Sequence, residues 1–263
     1  MSMPIDFEVR REYPTDEAIV HWRGSTIVDP NAFDLFLRGP VKARVTDEEA
    51  STRLEQDLLA LATTEMEAQT IREVLAAEVD PIDWEIGEAL AECLLESEFG
   101  VSWPWNENRD KKTPRASLPG ADLVGFLGEG DETVFLFGEV KTSSDAKCPP
   151  GVLAGRGGLI HQIDALATDR AVQSSLLKWL AARCNGTENE GKFKSACKRY
   201  IQSGGKDIAL VGVLLRDTQP HQDDLRTRGE KFAAAGVVTP RIRLDAWYAP
   251  RAIADWVDLV TAA

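Results

Sequence analysis

The stretch from residue 119 to residue 143, PGADLVGFLGEGDETVFLFGEVKTS, constrains the fold of this chain more than any other. It contains two apolar runs of strand length, residues 121–127 and 133–141. The segment between them, Gly-Glu-Gly-Asp at 128–131, has the composition of a turn. The pattern therefore predicts a β-hairpin whose two strands are largely buried.

Three charged residues lie at the open end of this predicted hairpin: Asp122, Glu139 and Lys141. Because side chains alternate along a strand, Glu139 and Lys141 point to the same face, roughly 6.5–7 Å apart. Closure of the hairpin at its turn places Asp122 across from them. Charges beside a core need a partner or a metal, so this is either a candidate site or a salt-bridged strand end.

The three residue types suit one chemistry, that of a hard divalent cation acting on phosphate. Mg²⁺ prefers oxygen ligands and is often held by one or two carboxylates together with several waters. A lysine beside such a metal can hold or activate a water and offset charge on a phosphate. The hairpin end therefore predicts a Mg²⁺ (or Mn²⁺) site with an adjacent ammonium.

The motif order resembles the PD-(D/E)xK nuclease superfamily: Gly120-x-Asp122, then Glu139-x-Lys141 at the end of an apolar strand. The proline of the name is displaced, since Pro119 stands three residues before the aspartate. The resemblance implies a Mg²⁺-dependent DNA endonuclease. In such an enzyme Asp122 and Glu139 are metal ligands, and Lys141 is catalytic.

The same resemblance implies two further catalytic residues. A helix before the core strands often supplies a third acidic ligand in this superfamily; Glu88 is the expected residue and Glu92 the alternative. Gln162 resembles the glutamine that some members place beside the metal. Leu166 stands four residues later where RecB-like members have tyrosine, so the fuller helix motif is absent.

Periodicity and turn residues predict the remaining elements. A helix is expected over 83–99, closed by Gly100, and another over 46–78 that begins with a T-x-x-E capping box at Thr46. Beside the hairpin, further expected elements are strands at 101–105, 207–215 and 241–247, and helices at 159–183 and 250–260.

From residue 83 this order is αβββαβ, which is that of a restriction-endonuclease-like α/β core with a mixed central sheet. The predicted organisation is a nuclease-like domain over 81–263 and an N-terminal mixed and helical appendage over 1–80.

The net charge of −13 opposes nonspecific binding of polyanions, but it is unevenly distributed. Residues 46–98 contain 16 acidic and two basic residues, so the rest of the chain sums to +1. The remainder can therefore carry a basic DNA-binding surface. For the acidic helix two roles are open: a solvated amphipathic helix, or a surface that docks a basic partner or masks the nucleic-acid site.

Candidate nucleic-acid contacts fall in three basic segments. One is the polar connection before Asp122, one is the glycine-rich loop before residue 159, and one is the segment KFKSACKRY at 192–200. The expected residues are Arg109, Lys111, Lys112, Arg115, Arg156, Lys192, Lys194, Lys198 and Arg199.

Within the superfamily, the segments EIGEAL, GADLV and FGEVK look most like the nuclease subunit of Hachiman-type anti-phage systems. That likeness implies a helicase or ATPase partner. Two other classes remain open: a catalytically silent nuclease-fold subunit that binds DNA or acts as a scaffold, and an acidic adaptor acting through 46–98. The sequence shows no apolar run of membrane-spanning length and no signal peptide, so a cytoplasmic protein is expected.

Overall fold

The structure, a computed structural model, describes residues 7–16, 20–76, 80–113, 120–234 and 241–262. Within these ranges the chain is α/β, with one six-stranded mixed sheet flanked by helices. The strands are β1 (Val9–Asp16), β2 (Val20–Ile27), β3 (Leu123–Leu127), β4 (Val134–Ser143), β5 (Ile208–Arg216) and β6 (Arg241–Tyr248). The helices are α1 (Pro30–Phe36), α2 (Lys42–Val45), α3 (Glu48–Leu59), α4 (Glu65–Leu75), α5 (Asp83–Phe99), α6 (Leu159–Thr168), α7 (Arg170–Cys184), α8 (Glu190–Gln202), α9 (Arg226–Ala234) and α10 (Trp256–Thr261).

The sheet has the order β1-β2-β6-β5-β4-β3. Strands β2, β6, β5 and β4 run parallel, and β1 and β3 pair antiparallel at the two edges. Every residue of β5 is buried, as expected for an inner strand covered on both faces. Strands β1 and β2 come from the predicted N-terminal appendage, so the sheet continues across the predicted boundary at residue 80.

Helices cover both faces of the sheet. Side chains of α1, α5 and α10 form one core with alternate strand residues such as Leu136 and Val140. Side chains of α6, α7, α8 and α9 form a second core with the other set, including Phe135 and Phe137. Successive side chains of β4 point to opposite faces of the sheet. Odd-numbered residues such as Phe135 therefore face one core, and even-numbered residues such as Leu136 face the other.

The prediction of one continuous helix over 46–78 is wrong, because two separate helices, α3 and α4, occupy most of this segment. Thr46 ends α2 instead of beginning a helix, and α3 and α4 are separated by a break at residues 60–64. The capping box forms at Thr64, whose side chain accepts from the Glu67 N–H while Glu67 accepts from the Thr64 N–H. This second capping signal starts a new helix, which explains the break. Residues 77–78 of the prediction lie outside the described residues.

The predicted αβββαβ order is wrong at its first strand. Residues 101–105 contribute only a single bridge, between Ser102 and Phe126. Pro104 has no N–H for a ladder, and the Trp103 indole instead donates to the Glu92 carbonyl. The predicted helix over 159–183 is also divided, because Asp169 caps the start of α7.

Of the helices in the described ranges, none is long and apolar enough to cross a membrane.

Candidate active site

The open end of the β3–β4 hairpin gathers the three residues expected there. Leu123 pairs with Gly138, so Asp122 stands opposite Glu139 at the end of the ladder. The Asp122 Oδ2 atom accepts a hydrogen bond of 2.8 Å from the Val140 N–H. The Lys141 Nζ atom donates to Glu139 Oε1 at 2.5 Å. Two carboxylates and one ammonium thus share a single end of the sheet.

The two hairpin carboxylates lie in a poorly solvated environment. The Glu139 residue is only 5% exposed. Burial, followed by the Asp122 charge, raises the pKa of Glu139 to about 7, although Lys141 opposes the shift. Burial also raises the pKa of Asp122, against the hydrogen bond from Val140 and the charge of Lys141. Both shifts indicate negative charge that the surrounding protein does not fully compensate.

Helix α5 brings Glu88 to the same place. The preceding Gly87 allows close packing, since a Cβ atom there would lie 2.6 Å from the Thr142 methyl group of β4. Burial, then the charges of Asp122 and Glu107, raises the pKa of Glu88 to about 9. Among the described residues Glu88 forms no hydrogen bond or ion pair. It is therefore a carboxylate without a counter-charge in direct contact.

Glu107 is a site residue that the sequence reasoning missed. It begins the short 3₁₀ helix Glu107–Asp110, and burial followed by the charges of Glu92 and Asp122 raises its pKa to about 8. A single glutamate in a polar connection carries no spacing signal that could have identified it. Glu92, the alternative to Glu88, is already paired with the Arg44 guanidinium.

These acidic side chains surround a small cavity of about 20 Å³, enough for roughly one water or ion. Its polar lining consists of Arg44, Glu85, Glu88, Glu92, Asn106, Glu107, Asn108 and Asp122. The cavity thus connects α5, the loop before β3 and the hairpin end.

The donor set fits a hard divalent cation in its chemistry, because the shifted groups are all carboxylates whose mutual repulsion such an ion would relieve. The side chains as they stand do not form a complete ligand shell: within the described ranges no three His, Cys, Asp or Glu side chains are disposed to hold a metal ion. Glu139 is engaged by Lys141, and Asp122 by the Val140 N–H. These two hydrogen bonds engage one oxygen of each carboxylate, Asp122 Oδ2 and Glu139 Oε1.

Gln162 and Arg156 are hydrogen-bonded to each other and not to the candidate carboxylates. The Gln162 amide donates to the Arg156 carbonyl at 3.3 Å, and the Arg156 side chain is exposed. In the part of the chain that the structure describes, neither forms a hydrogen bond with Asp122 or Glu139. Gln162 is thus tied to the glycine-rich loop rather than to the candidate metal ligands.

The basic loop before β3 is largely neutralised by nearby carboxylates. Arg109 binds Asp47 through two hydrogen bonds of 2.6 and 2.9 Å, and Lys111 binds Glu85 at 2.6 Å. Lys112 is exposed, and Arg115 lies outside the described residues. Two of the expected phosphate contacts are therefore committed to ion pairs within the protein.

The basic residues of α8 are far from the carboxylates. Lys192 and Arg199 bind Glu129 and Glu132, which lie between β3 and β4 at the closed end of the hairpin. Five residues separate Val134 from Glu139, a distance along the strand of about 17 Å. Of the other two, Lys194 pairs with Glu190 within α8 and Lys198 is exposed. The structure therefore does not bring the α8 residues and the carboxylates into one site.

No protein-family model matches this chain, and neither a curated protein nor a solved structure does.

Proposed function

We propose that this protein is a metal-dependent nuclease that hydrolyses phosphodiester bonds of DNA. The observation that carries the proposal is the convergence of Asp122, Glu139 and Lys141 at the hairpin end, with Glu88 unpaired beside them. Buried like charges are costly to a fold, so the placement of Asp122 and Glu88 at one small cavity, with Glu139 opposite Asp122 on the hairpin, favours a catalytic or metal-binding use over a structural one.

The arrangement of elements supports a restriction-endonuclease-like core over residues 83–216. Helix α5 precedes an antiparallel hairpin, helices follow, and β5 then pairs parallel with β4. The single bridge at Ser102 occupies the position expected of the first core strand. In this proposal the fold places one carboxylate on α5 and two at the hairpin end.

The residues divide the work as follows. When bound, a divalent cation supplies Lewis-acid activation of water and neutralises charge at the phosphate. Asp122, Glu139 and Glu88 are the residues that would hold it. Lys141 lies two residues from Glu139 on the same face of the strand and is hydrogen-bonded to it, so it would hold the attacking water or donate to a phosphate oxygen. Because the pKa of Glu139 is raised to about 7, its carboxyl group is mostly ionised only above about pH 7.

Contact with DNA depends on the cations that are not paired within the protein. Lys112, Arg156 and Lys198 are exposed and form no ion pair with a described side chain. The proposed helicase or ATPase partner, in an anti-phage defence role, is supported only by the likeness of three short segments. Co-purification of the full-length chain with its genomic neighbours tests that part separately.

The test is cleavage of supercoiled plasmid with Mg²⁺, Mn²⁺ or EDTA. We expect nicking or cutting that requires the metal and falls by about a hundredfold or more in Asp122→Asn and Glu139→Gln. Glu132→Gln is the matched control, since it changes a carboxylate at the closed end of the same hairpin. Cleavage by Asp122→Asn at the wild-type rate would exclude this site. Metal binding without cleavage would favour a silent nuclease-fold subunit.

A further inference from the structure

Helices α3 and α4 form a two-helix arm, residues 48–75, that contributes little to the core. None of the residues of α3 is buried, and in α4 only Ala68 is. Helix α3 makes its main contacts with α4 and with α2, through which the arm joins the rest of the protein. Most of the surface of the arm therefore faces solvent.

The arm exposes large apolar side chains. Leu54, Leu61, Met66 and Val74 are between 49% and 78% exposed. They are four of the seven exposed large apolar residues in the described chain, although the arm is a short segment. Single exposed apolar residues are ordinary, whereas several on one short, largely solvent-facing element are what a docking surface would present.

The charge of the arm indicates what kind of partner it fits. Residues 48–75 contain seven acidic and two basic residues, a net charge of −5. Both arginines are paired inside the arm, Arg53 with Glu49 and Arg72 with Glu65. A second copy of the arm would bring like charge against like charge, which disfavours self-association. A basic partner would instead be attracted electrostatically to the acidic arm.

We propose that the arm is the docking surface for a basic amphipathic helix of a partner protein. Leucine-type side chains of that helix would cover the exposed apolar residues of the arm, and its flanking Lys and Arg residues would meet the acidic rim. The proposal does not depend on the proposed nuclease function, because no residue of the arm belongs to the candidate active site.

The test uses the full-length chain and a labelled synthetic Leu–Lys peptide of about 18 residues patterned as an amphipathic helix. Fluorescence anisotropy should show binding that weakens as salt is raised. A scrambled peptide of the same composition should bind at least about tenfold more weakly, because it has no continuous apolar face. A Leu–Glu peptide should not bind.

Two sets of variants locate the binding. The arm variant replaces four apolar residues, Leu54→Ser, Leu61→Ser, Met66→Ser and Val74→Ser, and should bind at least about tenfold more weakly. The control variant, Leu35→Ser with Ile201→Ser, changes two residues that are each 69% exposed but lie outside the arm. It should bind as the wild type does. Should the arm variant unfold, Glu55→Gln with Asp57→Asn tests the acidic rim alone through the salt dependence.

Three results would overturn the proposal. One is equal binding of the patterned and scrambled peptides, which would indicate bulk charge only. Another is wild-type affinity in both arm variants. The third is a dimer in sedimentation that the apolar arm variant dissociates, which would make the second copy the occupant.

Discussion

Replacing Glu88 with glutamine isolates the electrostatic cost of the candidate site. Glutamine keeps the shape of the side chain and removes its ability to ionise. Glu88 has no counter-charge in contact within the described ranges, and its pKa is raised from near 4.5 to about 9, first by burial and then by Asp122 and Glu107. We therefore expect Glu88→Gln to stabilise the metal-free protein at neutral and alkaline pH.

The magnitude follows from proton linkage. A carboxyl whose pKa is higher in the folded than in the unfolded state costs no stability below the unfolded value, and stability is lost progressively as pH rises from the unfolded to the folded value. One pKa unit corresponds to about 1.4 kcal/mol. At pH 7 the wild type therefore loses about 3 kcal/mol relative to a neutral side chain, and at pH 5 less than about 1 kcal/mol.

The assay is urea denaturation in EDTA at roughly pH 5, 7 and 8, which lie between the unfolded and folded pKa values of Glu88. The free energy of unfolding of Glu88→Gln should exceed that of the wild type by an amount that grows with pH. Glu92→Gln is the control on the same helix: it breaks the pair with Arg44 and should destabilise the protein throughout.

A difference between Glu88→Gln and the wild type that stays constant with pH would refute this reasoning, because a packing effect has no proton dependence. Equal stabilities at pH 8 would also refute it, since the glutamate would then be solvated or paired. Either result would remove Glu88 from the candidate metal ligands.

Three further outcomes are expected. Saturating Mg²⁺ or Mn²⁺ should raise the Tm of the wild type by roughly 5 °C, and by more at high than at low pH. Asp122→Asn should abolish this increase. An unchanged Tm of the wild type in calorimetry counts against the metal site. Lys141→Ala should retain metal binding and lose about a hundredfold in plasmid cleavage; cleavage at the wild-type rate contradicts its catalytic role. Asp224→Asn should cost about 3–5 kcal/mol in urea denaturation because it leaves the fully buried Arg216 without its carboxylate; a cost below about 1 kcal/mol would show that water or another group takes over.

Local signals in the sequence were enough to predict the hairpin, helix α5 and the relation of Asp122 to Glu139. Alternation places Glu139 and Lys141 on one face, and the turn places Asp122 opposite Glu139. Gly100 adopts a left-handed conformation at the end of α5, as its position in the sequence indicates. These features depend on residues close together in the chain, for which propensity and periodicity are informative.

Ion pairing over long sequence separations could not be predicted. Arg109 is bound by Asp47, 62 residues earlier, and Lys192 reaches Glu129, 63 residues away. A basic segment in a sequence carries no sign of which of its charges the fold will neutralise. The predicted DNA-binding residues therefore include several that the folded protein pairs internally. Glu107 was missed because a single glutamate in a polar connection carries no spacing signal.

The cations around the candidate site also determine how it can be occupied. Arg44 holds Glu92, Lys111 holds Glu85 and Lys141 holds Glu139. Glu88 and Glu107 have no such partner among the residues that the structure describes, and theirs are the most strongly raised pKa values of the carboxylates around the cavity. The uncompensated charge is thus concentrated on the side of the cavity formed by α5 and the 3₁₀ helix. In the proposed metal site, a divalent ion would gain most on that side of the cavity, next to Asp122.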